Sequence, residues 1–264
     1  MTIRETSSVL ALAGALFVLP QVLVAQIEVI PDSRLSPGAR LAVAIEKDDL
    51  ARVRELLDGG TSADSPIDYG DNSESPLMKA ARSGTVDIAR LLIERGANVN
   101  WKDKESATVL ESAVSSGDAG MVKLLLDAKA NPNVVNHYKQ SALSNAAAAG
   151  NLEITEMLLK AKAKPELEGL VLTPMMFAAF AGNEDLIRLL VRNGADVNFA
   201  DRKSGQSALT SAISAGKPEI VKLLIELKAN VNQRAPDGET PLKAAKNGDQ
   251  DDMVAMLVAA GAKP

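Results

Sequence analysis

The sequence predicts an all-α solenoid of about seven helix–turn–helix repeats with β-turn fingers between them. Three observations predict it. Apolar residues recur about every 33 residues, at Leu77, Leu110, Leu143, Met175, Leu209 and Leu242, too regular a period for chance. After each, a short pattern of small residues runs to a glycine, and an apolar stripe at helical spacing follows. Composition agrees: hydrophobic residues make up 46% and aromatics 3%, so Ala and Leu must fill the core, which suits closely packed helical layers. A single repeat cannot bury its own stripe, so the stack is the folding unit.

Taken in order, residues 1–25 stand apart. Arg4 precedes an apolar run from Val9 to Val18, then Pro20 and Val22-Leu23-Val24-Ala25. That run has the length of a signal-peptide core and is short for a membrane span. Cleavage after Ala25 is expected, with export to a bacterial periplasm or beyond. An uncleaved anchor and an ordinary buried helix are the alternatives. Residues 26–38, with Pro31, Ser33, Ser36, Pro37 and Gly38, read as a linker, and 39–264 as the repeat domain. The first repeat, from Leu41, carries outward charges at Glu46, Lys47, Asp48 and Asp49, as a capping repeat should.

The fifth repeat, Thr173 to Asn198, shows the unit most clearly. Thr173 reads as an N-cap, and Pro174 as the first helical residue, where its missing N–H costs nothing. Gly182 ends that helix. Leu186, Ile187, Leu189, Leu190 and Val191 form the second stripe, and Gly194 closes it. Thr240-Pro241-Leu242 and Ser75-Pro76-Leu77 open other repeats in the same way. The pattern resembles the ankyrin repeat, in which Thr-Pro-Leu-His opens two antiparallel helices followed by a β-turn finger.

Departures from that pattern are informative. The family's His, which ties neighbouring repeats together, is replaced by Met78, Glu111, Ser144, Met176, Thr210 and Lys243. Lys129, Lys162 and Lys228 stand where the family ends its second helix with Gly, so positive φ is expected at a cost there. The turn from Lys164 to Leu172 is one residue short, and Asp196 to Gln206 one long. The last repeat is aligned with one extra residue within Gln250 to Asp252.

No catalytic constellation emerges. The chain has no cysteine, and its one histidine, His137, falls at a turn tip. Asp48 with Asp49 and Asp251 with Asp252 precede second helices, where negative charge suits the helix dipole. No phosphate loop or metal-ligand cluster is present in the sequence, so no enzyme activity, metal or cofactor is expected. The net charge of −5 gives no support to nucleic-acid binding.

Resemblance to the ankyrin family implies a protein partner, gripped by finger tips and by exposed residues of the inner helices. The positions this implies are Arg82, Lys104, Glu105, His137, Tyr138, Leu170, Phe180 and Lys203. Tyr138, Leu170, Val171 and Phe180 would make an apolar centre with polar flanks. Alternatively, Leu170 and Val171 fold under the short turn, and Phe180 packs between inner helices. Trp101 and Phe199 are expected to pack on neighbouring turns. The leading expectation is a monomeric, non-catalytic, exported binding protein with no membrane contact after signal cleavage. The alternatives are a membrane-tethered scaffold and an immunity-type inhibitor of a toxin or enzyme.

Overall fold

The computed structural model describes residues 34–70 and 72–263. The predicted signal segment and most of the predicted linker lie outside them. The described residues carry fourteen helices in inner–outer pairs: α1 (Pro37–Glu46) and α2 (Leu50–Asp58), α3 (Pro76–Ser83) and α4 (Val86–Glu94), α5 (Val109–Ser116) and α6 (Ala119–Asp127), and α7 (Ala142–Ala148) and α8 (Leu152–Lys160). Next come α9 (Pro174–Ala181) and α10 (Glu184–Arg192), α11 (Ala208–Ser214) and α12 (Pro218–Glu226), and α13 (Pro241–Asn247) and α14 (Asp251–Ala259). A two-residue ladder pairs β1 (Ile67–Asp68) with β2 (Ser73–Glu74), antiparallel, in the finger before α3. The chain divides into two compact units, one ending at Asn131 and the other beginning at Pro132.

Within each unit, inner helix packs on inner helix and outer on outer: α1 on α3 and α3 on α5 in the first, α7 on α9, α9 on α11 and α11 on α13 in the second. The core is the row of recurring apolar positions, with Leu77, Leu110, Leu143 and Leu209 almost fully buried and Ala pairs such as Ala80–Ala81 and Ala178–Ala179 at 0% exposure. Alanine at those contacts lets the helix backbones approach closely.

Local chemistry sets the starts of the inner helices. Ser75, Thr108, Ser141, Thr173, Ser207 and Thr240 all turn a side-chain oxygen to the backbone N–H three residues on. Glu111, Ser144 and Thr210, at the place of the family's His, close capping boxes instead: the carboxylate of Glu111 accepts from Thr108 N–H at 2.8 Å. These residues therefore serve their own helix. Ties between repeats come from elsewhere, as a row of side chains at the repeat ends. In the first unit, Asp64 accepts from Asn98 N–H (2.9 Å) and Asn100 from Asn131 N–H (2.8 Å). In the second, Asn133 accepts from Lys164 N–H and donates to the Lys162 carbonyl, while Asn198 and Asn232 bridge their next repeats likewise.

The three lysines expected at positive φ have it: 68° at Lys129, 67° at Lys162 and 71° at Lys228. Two boundaries differ from the sequence reading. Helix α1 begins at Pro37, with Ser36 capping Ala39 N–H, so Pro37 and Gly38 belong to the fold and not to a linker. Gly38 is packed so tightly that a Cβ would lie 1.9 Å from the Pro66 carbonyl oxygen. In the last repeat, the left-handed residue after the inner helix is Asp249 (φ 52°), not Gly248 (φ −92°). Asp249 stands as far from its N-cap Thr240 as Gly216 does from Ser207, so no extra residue exists. The glycine one place early misled the alignment.

Candidate protein-binding surface

Six fingers connect the repeats, and their tips are set by tight turns. Asp103 accepts from Ser106 N–H, Asn136 from Lys139 N–H and Ala235 from Gly238 N–H, which puts Lys104–Glu105, His137–Tyr138 and Pro236–Asp237 at the tips. Lys104 and His137 are exposed, Glu105 is half-buried, and Tyr138 is 66% exposed. The finger after α10 is held by one carboxylate: Asp201 accepts from the N–H groups of Lys203 and Ser204 and from the Ser204 hydroxyl. Those donors hold its carboxyl below the usual range. Arg202 and Lys203 project from that turn, exposed.

The finger before α9 departs from the rest. Its turn closes from Leu170 N–H to the Leu167 carbonyl, so the tip is Glu168–Gly169, and Leu170 is 7% exposed. Leu170 is thus core and not a contact residue, which corrects the expectation placed on it. The turn begins five residues after the left-handed Lys162, against seven between Lys129 and Asn136 or Lys228 and Ala235. Starting early, it tucks Leu170 beneath itself and leaves Val171 outside at 55% exposure. Between the fingers on either side an open notch of about 730 Å³ results, lined by Lys139, by the short finger, and by Phe199 to Lys203. Phe199 is half-buried there, and Trp101, in the first unit, is also half-buried. Glu166, at the notch base, accepts from Asp196 N–H at 3.1 Å. Burial, with the Asp196 carboxylate as a further cause, raises its pKa despite that hydrogen bond.

Phe180, on the last turn of α9, is 58% exposed and does not pack between inner helices. The neighbouring inner helices offer Ala148 and Ala149 on one side and Ser214 and Ala215 on the other, so Phe180 rises from a floor of small side chains. Arg82 in the first unit is exposed but engaged: its guanidinium donates to Glu74 at 2.6 Å, and the Tyr69 hydroxyl donates to the same oxygen at 2.6 Å. Burial, and then the Glu74 hydrogen bond, push the Tyr69 phenol above its usual range. Glu74 is 3% exposed. Sequence reading missed this cluster, because nothing in the repeat pattern marks Tyr69 or Glu74.

Models of the ankyrin repeat match three overlapping stretches, 41–136, 113–201 and 175–264. The chain belongs to the ankyrin-repeat family. Among solved structures, it is 28% identical to an ankyrin repeat domain from Acinetobacter baumannii, covering 71% of this chain and 98% of that one, with a TM-score of 0.65. The human ASB11 ankyrin repeat domain is also 28% identical, over 72% of this chain and 85% of that one, with a TM-score of 0.62. Among curated proteins, an ankyrin repeat, SAM and basic leucine zipper domain-containing protein of Equus caballus is 45% identical over 67 residues, and that of Neofelis nebulosa 43%. Those matches span 25% of this chain and 13% of the relatives' length. Ankyrin repeat domains typically mediate protein–protein interaction and are generally non-enzymatic. No helix among the described residues is long and apolar enough to cross a membrane.

Proposed function

We propose that this is a non-catalytic protein-binding protein whose contact surface is the exposed inner-helix floor and fingers of the second unit, with Phe180 and Tyr138 as anchors. The carrying observation is Phe180: a large apolar side chain, more than half exposed, set among alanines. Large exposed aromatics at such positions supply most of an interface's energy when a partner covers them. We further propose export, supported by the charged start and apolar run of the first 25 residues. N-terminal sequencing beginning at Gln26 would agree with it, and an intact Met1 on the mature protein would end it.

The test compares immobilised wild-type chain with Phe180→Ala, using periplasmic extract as the source of partners. A specifically retained protein should bind the variant more weakly by about 1–3 kcal/mol. Stability should change by no more than about 0.5 kcal/mol, because an exposed side chain contributes little burial. Equal retention by both proteins would remove Phe180 from the interface.

A further inference from the structure

The last outer helix, α14, breaks a rule that the other six described outer helices keep. Each of those is charged at its fifth and ninth residues, as with Arg188 and Arg192 in α10 or Lys222 and Glu226 in α12. In α14 the same places hold Ala255 and Ala259, both exposed. Beside them Val258 is 55% exposed and Val254 half-buried. Counterparts of Val254 that are followed by another repeat of their own unit, Val53, Ala89, Thr155, Ile187 and Val221, are all at 0% exposure. No charge interrupts α14 after Asp252, although the end of a repeat stack needs a polar outer face to stay soluble by itself. The inner helix of this repeat is charged instead. Lys243 and Lys246 of α13 are exposed where α9 buries Met176 and Ala179, and where α7 buries Ser144 and Ala147. A further repeat stacked here would bury two ammonium groups, so the face is not built for one. Asp251 and Asp252, also exposed, head α14, and none of these four charges is in an ion pair among the described residues.

We propose that this end face is a homodimer interface, in which α13 and α14 pair with α14 and α13 of a second copy of this chain about a two-fold axis. The occupant follows from how the charges are sorted. One half of the face is an apolar helix headed by two carboxylates, and the other is a helix carrying two cations, so the face is complementary to itself. The two helices pack together across a three-residue connection, Gly248 to Gln250, and therefore run antiparallel, with Lys246 and Asp251 flanking the connection. A two-fold axis parallel to them lays α13 of each copy on α14 of the other. Lys246 of one copy then meets the Asp251–Asp252 head of the opposite α14. Lys243 comes towards the C-terminal end of that helix, where its dipole favours a cation. The lysine stems cover Val254 and Val258. A perpendicular two-fold would set α13 on α13 and lysine on lysine, so the charges select the first arrangement. Helices of seven and nine residues make a small face. It measures about 14 Å by 20 Å, so a reversible dimer with a dissociation constant on the order of 10 µM is expected. The inference goes beyond the protein-binding reading above and uses a different surface.

The experiment is sedimentation velocity of the full chain over about a hundredfold range of concentration around that value. A monomer–dimer equilibrium is expected. Val258→Lys should weaken it about tenfold, and so should Lys246→Glu or Asp251→Lys, each of which sets like charges across the axis. An equimolar mixture of the last two variants should restore the dimer, because both contacts across the axis then join opposite charges. Lys222→Glu, on an exposed charge of α12 outside the face, should leave it unchanged. Thermal unfolding confirms that each variant is folded. A monomer at every concentration, a dimer that survives Val258→Lys, or a mixture no more associated than its parts overturns the proposal. Species that keep growing past the dimer also overturn it and assign the face to head-to-tail stacking. Loss of the dimer on Phe180→Ala in place of Val258→Lys overturns it as well and moves self-association to the inner-helix floor.

Discussion

In the first unit, the exposed ends of the inner helices carry Glu46 and Lys47, Arg82 and Ser83, then Ser115 and Ser116. In the second unit, the same places hold Ala148 and Ala149, Phe180 and Ala181, Ser214 and Ala215, and, on the last inner helix, Lys246 and Asn247. The backbones are built alike, with Ser or Thr caps and left-handed turns in both. The repeat fold dictates what is buried and leaves these outward positions open to any residue. Polar side chains there need no explanation beyond solubility. Alanines around an exposed phenylalanine have none in the fold, and this is the observation behind the contact surface proposed on the second unit. The fingers differ in the same direction. The hairpin before α3 is closed by Tyr69 and Arg82 bonding to the buried Glu74, whereas the short finger before α9 leaves a notch open.

The strongest way to break this comparison is a pair of glycines with the same φ. Gly117 in the first unit and Gly205 in the second both stand at φ 73°. Nothing lies within 4 Å of a Cβ on Gly117, while one on Gly205 would meet Ala235 at 2.3 Å. Gly117→Ala should therefore cost only the left-handed penalty, about 1 kcal/mol. Gly205→Ala adds overpacking and should cost about 3 kcal/mol. Chemical denaturation of the two variants decides it. Equal losses would mean that the finger before α11 yields freely and the notch wall is not firm.

The lysine turns give a smaller effect of opposite sign. Lys129→Gly, Lys162→Gly and Lys228→Gly should each stabilise by about 0.5 kcal/mol, since relief of the left-handed penalty outweighs glycine's extra unfolded-state freedom. Lys129 belongs to the first unit and the others to the second, so similar midpoint shifts would show the same turn strain in both. A destabilised Lys162→Gly alone would show that its chain is needed in the second unit.

These turns were legible in the sequence because a missing glycine at a fixed place in a repeat is a local signal. The starts of the inner helices from α3 onward were legible for the same reason, each marked by Ser or Thr three residues before its partner N–H. The start of α1 was not, because Pro37 and Gly38 look like linker, and only the approach to Pro66 explains that glycine. Leu170 was misplaced because counting residues showed that the finger was short without showing where its turn would close. The inter-repeat row was missed outright. Asn133, Asn198 and Asn232 look like ordinary turn residues until their carbonyl and N–H partners, some thirty positions away, come beside them.

The smallest effect tests one member of that row. Asn133, Asn198 and Asn232 each accept an N–H and donate to a carbonyl, a pairing that an amide can make. Glu166 takes the equivalent place in the fourth repeat, and an ionised carboxylate can only accept, here from Asp196 N–H and beside the Asp196 carboxylate. Its pKa is raised, chiefly by burial, so the folded state binds the proton more tightly than the unfolded chain does. Stability from this group therefore rises as pH falls from neutral through the folded Glu166 pKa, and it is lost again as pH climbs back above it. Because the side chain is only half-buried, solvent screening limits the effect to about 0.5 kcal/mol. Glu166→Gln removes the titration and supplies the missing donor. The variant should gain about 0.5 kcal/mol at neutral pH and lose this part of the pH dependence, as followed by urea midpoints between neutral pH and the carboxylate range. No counterpart is expected at Asn100, the amide member of the first unit. If Glu166→Gln destabilises at neutral pH, the carboxylate is a needed acceptor in the second unit and not a weak rung.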